Sequence, residues 1–187
     1  MKKWSEIRQG IIDKMFMDEA EVNSENEKDA AKFAYFANEC LNNIANGIKP
    51  RIGVFDVETT EDNAEQVMPD DFLSFADMVN YLNREPDPTI VYLGDKNILL
   101  PKKGKYKIFY NALWQEIDED KMASDEVLPI DQSVLNCIPS YVAAQLLAED
   151  DIQRSTILKN EYELMLSRLD TNIMYQQNSF KSTGGWY

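Results

Sequence analysis

Apolar residues recur at helical spacing near both ends of the chain and at alternate positions through its middle. Trp4, Ile7, Ile11 and Met15 stand three or four residues apart, with Ile12 and Phe16 widening the stripe, which predicts a helix over residues 3–16. The acidic stretch 18–23 reads as a connector. Ser24 and Glu27 have capping-box spacing and open a second helix. Its face runs Ala30, Phe33, Ala34, Ala37, Cys40, Leu41 and Ile44, and Gly47 is its natural stop. From Arg51 to Thr59 the chain turns rich in strand formers. Residues 68–83 read as a short helix or an irregular crossing rather than a strand. Ile90–Leu93, Gly94-Asp95 and Ile98–Leu100 spell a hairpin. After a turn at Pro101–Gly104, Tyr106, Ile108 and Tyr110 alternate with Lys105, Lys107 and Phe109 along a further strand. Helix then returns. Asp131 is placed to cap a short turn over 133–135, and Pro139 suits the first turn of a helix, where its missing N–H is not needed. Asp150-Asp151 mark a break and a cap. The last helix runs to about Leu169, with Ile157, Leu158, Tyr162, Met165, Leu166 and Leu169 as its apolar side.

The expected fold is therefore α+β. Residues 1–48 and 127–170 build one helical bundle from both chain ends, 49–117 form an inserted antiparallel β module, and 171–187 an extended C-terminal arm.

Composition narrows the chemistry. The 187 residues carry 33 Asp and Glu against 19 Lys and Arg, a net charge of -14, which argues against wrapping nucleic acid. Hydrophobic residues make up 44%, enough for a packed core. With no histidine, the Ser-His-Asp and Cys-His triads and the usual catalytic zinc sets are excluded. Cys40 and Cys137 each sit inside an apolar pattern, and two lone buried thiols in a reducing compartment are expected. The opening lacks the apolar core of a signal peptide, and no apolar run approaches the ~20 residues of a membrane span, so a soluble protein made in a cytoplasm is expected.

Two stretches invite a functional reading. In the last seventeen residues, TNIMYQQNSFKSTGGWY, Lys181 is the only charged side chain. Two large aromatics at Trp186-Tyr187 after Gly184-Gly185 suit an arm that docks in a groove on a neighbour, with the aromatics as anchors. The other stretch is Phe55-Asp56-Val57-Glu58-Thr59-Thr60, which resembles the first motif of proofreading-type DEDD exonucleases. The resemblance makes Asp56 and Glu58 ligands to divalent metal, since alternate strand residues share a face. It covers six residues: the family's catalytic histidine is missing, and Glu61 stands where the family favours glycine. Asp118, Asp120 and Asp125 fail the calcium-loop template, which needs Gly and Glu where Ala123 and Pro129 stand.

Across nearly its whole length the chain resembles the head-to-tail connector (adaptor or neck) proteins of tailed bacteriophages. WSEIRQGIIDKMFMDE with FAYFANECLNNIA, the central VMPDDF and ILLPKKGKYKIFYNALWQEI, and IPSYVAAQLLAEDD before a helix ending ELMLSRL carry the resemblance. Gly104–Tyr110 and Ile138–Ala144 fit two segments that recur in that family. The resemblance implies a non-enzymatic virion protein without cofactor or metal. Such proteins form a ring, commonly of twelve copies, between the capsid portal and the tail or a second neck ring, and continue the DNA channel with only transient, non-specific contact to the genome and none to a membrane. Phe180, Lys181, Gly184, Gly185, Trp186 and Tyr187 would be the docking residues on the portal or a neighbouring copy.

Overall fold

The computed structural model describes residues 2–15, 27–80, 91–118 and 127–179, with 27–31, 76–80 and 170–179 described by their backbone alone. The protein is α+β. It divides into two units: Met1–Lys49 with Gln115–Tyr187, and Pro50–Trp114.

The first unit is helical. Helix α1 (Trp4–Met15) buries Trp4, Ile7, Ile11 and Ile12, the stripe read from the sequence. Lys3 starts it with a single bridge to Val127, and its backbone N–H donates to Glu6 Oε2 at 3.0 Å, which satisfies one of the N–H groups a helix start leaves without a partner. Helix α2 (Glu27–Gly47) ends at the expected glycine and buries Phe33, Ala37, Cys40, Leu41 and Ile44. Ser24 of the expected capping box lies outside the described residues, as do Phe16 and the acidic connector. Helix α3 (Gln132–Leu135) is capped by Asp131, whose carboxylate accepts from the Ser133 N–H. Helix α4 (Ile138–Leu146) has Pro139 in its first turn, and every residue from Ile138 to Ala144 is buried. Gly10 lets α1 approach it closely: a Cβ there would stand 3.3 Å from the Pro139 ring. Helix α5 (Ile152–Ser179) starts at Asp151, which accepts from the Arg154 N–H at 3.0 Å. The buried Ser155 hydroxyl donates to the Ala144 carbonyl at 2.8 Å and joins α5 to α4.

Two features of α5 depart from expectation. It continues ten residues beyond Leu169, through the first part of the segment expected to be an extended arm, because Thr171–Ser179 contain no glycine or proline to stop it. Ile157 is not on the buried side; it is 66% exposed.

The second unit is two three-stranded antiparallel sheets, ordered β1-β6-β3 and β2-β5-β4. The first holds β1 (Arg51–Thr59), β6 (Gly104–Ala112) and β3 (Phe72–Asn80); the second holds β2 (Ala64–Val67), β5 (Asn97–Leu100) and β4 (Val91–Gly94). Met68, Phe72, Ile98, Leu100, Tyr106, Ile108, Tyr110 and Ala112 form its core. The β4–β5 hairpin turns at Asp95-Lys96, both at positive φ (47° and 64°), the geometry of a type I′ turn and one residue later than the sequence suggested.

Residues 72–80 are a strand, against the expected helix or crossing, and the reason is local. Two register shifts, between Phe72 and Ser74 and between Phe75 and Asp77, each let an extra residue into β3. Phe72, Phe75 and Met78 therefore fall opposite Ala112, Tyr110 and Ile108 of β6 although they are three apart in sequence. A twice-bulged strand imitates helical periodicity. The short β2 carries no hydrophobic period of its own.

Candidate functional site

Phe180, Lys181, Gly184, Gly185, Trp186 and Tyr187 lie outside the described residues. The structure describes the chain up to Ser179, at the end of α5.

Asp56 and Glu58 do share the exposed face of β1, as alternate strand positions require. On the paired strand they stand opposite Lys107 and Lys105. Glu58 forms an ion pair with Lys105 at 3.4 Å. Both partners are about two-thirds exposed (66% and 64%), so this cross-strand pair supports the sheet only weakly. Among the described residues, no three acidic or cysteine side chains come together to hold a metal ion. The acidic loop with Asp120 and Asp125 lies outside the described residues.

Asp71, which the sequence does not single out, joins several polar groups of the β unit. Its Oδ2 accepts from the Arg51 guanidinium and its Oδ1 from the Tyr110 hydroxyl at 2.9 Å. Its backbone carbonyl accepts from the Leu113 N–H at 2.8 Å, and Arg51 Nε donates to the Leu113 carbonyl at 3.2 Å. One residue thus ties the start of β1 to the end of β6, where the chain passes into and out of this unit. Burial, with the Asp71 hydrogen bond next, pushes the Tyr110 hydroxyl up to about 12. Gly53 makes room for that ring: a Cβ there would stand 2.3 Å from Tyr110 Cζ. The signal available in the sequence was a lone glycine inside a strand pattern, which marks a close approach.

In the helical unit, Cys40 and Cys137 are free and buried, as expected. Burial raises both thiols, Cys137 to about 11 and Cys40 further, with Cys137 itself adding to the effect on Cys40. Tyr141 and Tyr162 pack beside them, their rings tilted by 58° with centroids 4.9 Å apart, and burial holds Tyr141 up at about 12. These groups stay neutral and unreactive at ordinary pH; they pack.

An open groove of about 630 Å³ lies between the end of α1 and the start of α5. Its lining mixes two acids, Asp13 and Asp151, and two bases, Lys14 and Arg154, with the exposed Ile157 and the buried Leu158. Lys14 Nζ pairs with both oxygens of Glu161 at 2.8 Å, and the Arg154 guanidinium donates to the Lys14 carbonyl at 2.6 Å, so both cations are engaged within the unit.

Comparison with protein-family models and with curated proteins finds no match for this chain. Among the described residues, no helix is long and apolar enough to cross a membrane.

Proposed function

We propose that this chain is a structural, non-enzymatic virion protein, made in the host cytoplasm and located in the neck between capsid and tail. Copies form a ring, twelve by resemblance, that joins the capsid portal to a tail or second neck-ring protein and continues the DNA channel. Phe180, Lys181, Gly184, Gly185, Trp186 and Tyr187 dock each copy on the portal or on a neighbour. The observation that carries this reading is the order of parts. Helices from both chain ends belong to one unit, and an antiparallel β unit is inserted between them at Pro50 and Trp114. The two segments of the resemblance fall on regular elements, Gly104–Tyr110 on β6 and Ile138–Ala144 on α4. A net charge of -14 suits a channel wall along which DNA slides with only transient contact.

The test is electron microscopy of the source's particle fraction labelled with antibody against this chain. Label at the junction of head and tail is expected; absence from every particle would sink the reading. Deleting Phe180–Tyr187 should leave the circular dichroism of the body unchanged and abolish portal binding.

A metal-dependent exonuclease of the DEDD type is the second reading, favoured by the shared exposed face of Asp56 and Glu58. It requires manganese- or magnesium-dependent degradation of single-stranded DNA that Asp56→Asn removes. Pure protein without that activity ends it.

A further inference from the structure

Among the described strands, three of the four sheet edges are guarded against pairing with another chain. β3 carries two register shifts, β4 is four residues long with one shift, and β2 is four residues long. Short or bulged edges discourage strand addition. β1 has neither guard. It pairs with β6 over nine consecutive residues, from Arg51↔Ala112 to Thr59↔Gly104, without a shift, and no proline or lysine interrupts it. It is also an end strand of its sheet, so alternate residues turn their N–H and C=O groups away from β6. Among the described residues, no backbone bond from a loop or another element reaches Ile52–Phe55. Such a row of groups is complementary to another extended strand.

The side chains say which strand. Ile52 and Val54 are 57% and 46% exposed, on one face, with Gly53 between them. On their β6 side, Asn111 donates to Ser74 Oγ at 2.9 Å and the Phe109 ring lies 5.9 Å from Lys107 Nζ. Further cover for the two aliphatics comes from the open edge. On the opposite face Gly53 has no side chain, and the Tyr110 ring takes that space. Ile52-Gly53-Val54 is thus nearly symmetric about its glycine. An antiparallel copy centred there sets Ile52 against Val54 of the second copy, and Val54 against its Ile52. Charge selects this register. Centred on Gly53, the two Asp56 residues stand six strand positions apart, ~20 Å, beyond the ~8–10 Å screening length. Centred on Phe55, they would stand two positions apart, ~7 Å, each beside the other copy's Val54.

We propose that the free edge of β1 is a two-fold interface: Arg51–Phe55 of two copies pair antiparallel about Gly53, and the β1-β6-β3 sheets of both join into one. Ile52 of each copy packs on Val54 of the other. The contact uses the same surface on both copies and closes at two. It differs in surface and symmetry from a head-to-tail ring contact and does not depend on the function proposed above.

Sedimentation velocity and amide hydrogen exchange of the full chain test it. The unaltered protein dimerises with rising concentration, and the outward amides among Ile52–Phe55 become protected as it does. Ile52→Lys and Val54→Glu, both at exposed positions, leave the melting transition nearly unchanged and each weaken dimerisation at least ~10-fold. Mixed one to one, the two variants pair with each other, because the new lysine of one meets the new glutamate of the other. Both changes in a single chain restore dimerisation for the same reason. A monomeric unaltered protein overturns the inference. So does association that Ile52→Lys leaves unchanged, which belongs to another surface. Failure of both the mixture and the double variant to recover overturns the register and the inference with it. If a single variant fails to fold, hydrogen exchange of the unaltered protein decides alone: amides of Ile52–Phe55 that gain no protection with concentration overturn it.

Discussion

Replacing Gly53 with alanine puts the packing of the β unit to a direct test. The added Cβ would stand 2.3, 2.6 and 2.7 Å from three atoms of the Tyr110 ring, well inside the 3.4 Å at which ordinary contact begins. The ring has little freedom to retreat. It is buried, its hydroxyl is held by Asp71 at 2.9 Å, and Phe72 packs against it with centroids 5.8 Å apart. Overpacking of this kind costs ~1–3 kcal/mol, and a displaced ring also loses a hydrogen bond to a charged carboxylate, ~1.5–3 kcal/mol. Together they amount to ~2.5–6 kcal/mol, which in a unit of this size lowers the melting transition by at least ~10 °C. Thermal unfolding followed by near-ultraviolet circular dichroism reads it. Tyr110→Leu removes the obstacle, so Gly53→Ala in that background should cost far less, and the two changes should be strongly non-additive. A Gly53→Ala protein within ~0.5 kcal/mol of the parent, or strict additivity with Tyr110→Leu, would refute the reasoning.

Other expectations follow from the same contacts. The Lys49 ammonium, then the Ser133 hydroxyl, hold the Asp131 carboxyl down at about 2, against 3.8 in a model peptide. Its contribution to stability is therefore complete above the unfolded value and is lost as pH falls through 3.8 toward 2; Asp131→Asn should flatten that part of the acid-denaturation curve, and an unchanged curve would dismiss the pairing. Asp131→Ala also removes the cap of α3 and should cost ~1 kcal/mol in denaturant titration. Neither Cys40 nor Cys137 should react with a disulfide reagent at pH 8 until denaturant is added; rapid native labelling of either would contradict their burial. Because Arg51 pairs with Ala112, the two ends of Pro50–Trp114 leave side by side, and that segment alone should give a cooperative melt with a β-type spectrum; a random-coil spectrum would show that its core depends on the helices.

Regular elements with an undisturbed period were legible in the sequence. The stripe on α1, the Gly47 stop, the Asp131 cap and the alternation of β6 all follow from local rules that the fold keeps. What misled was periodicity altered by partners distant in sequence. In β3 the bulges are set by pairing with β6, thirty residues on, and they turned an alternating pattern into a spacing of three. Ile157 was expected on the apolar side, but the buried positions Ser155, Leu158, Tyr162 and Leu169 define a face at least ~100° away from it. The docking segment was chosen from the sequence because its composition stands apart, whereas the groove between α1 and α5 joins residues ~140 positions apart and carries no local signature. Asp71 was hidden for the same reason: its partners, Arg51, Tyr110 and Leu113, come together through the sheet.

The interrupted order of the helical unit has a consequence in time. The apolar faces of α1 and α2 pack against α4, yet about a hundred residues separate the end of α2 from the end of α4, and the whole β unit is encoded between them. At ~5–20 residues per second, Trp4, Ile11, Phe33 and Leu41 leave the ribosome roughly 5–20 s before the surface that buries them exists. If Pro50–Trp114 folds alone, as expected above, its strands complete their pairing within that interval. Until then the apolar residues of both N-terminal segments stay uncovered, which gives a chaperone or a neighbouring nascent copy its best opportunity to bind.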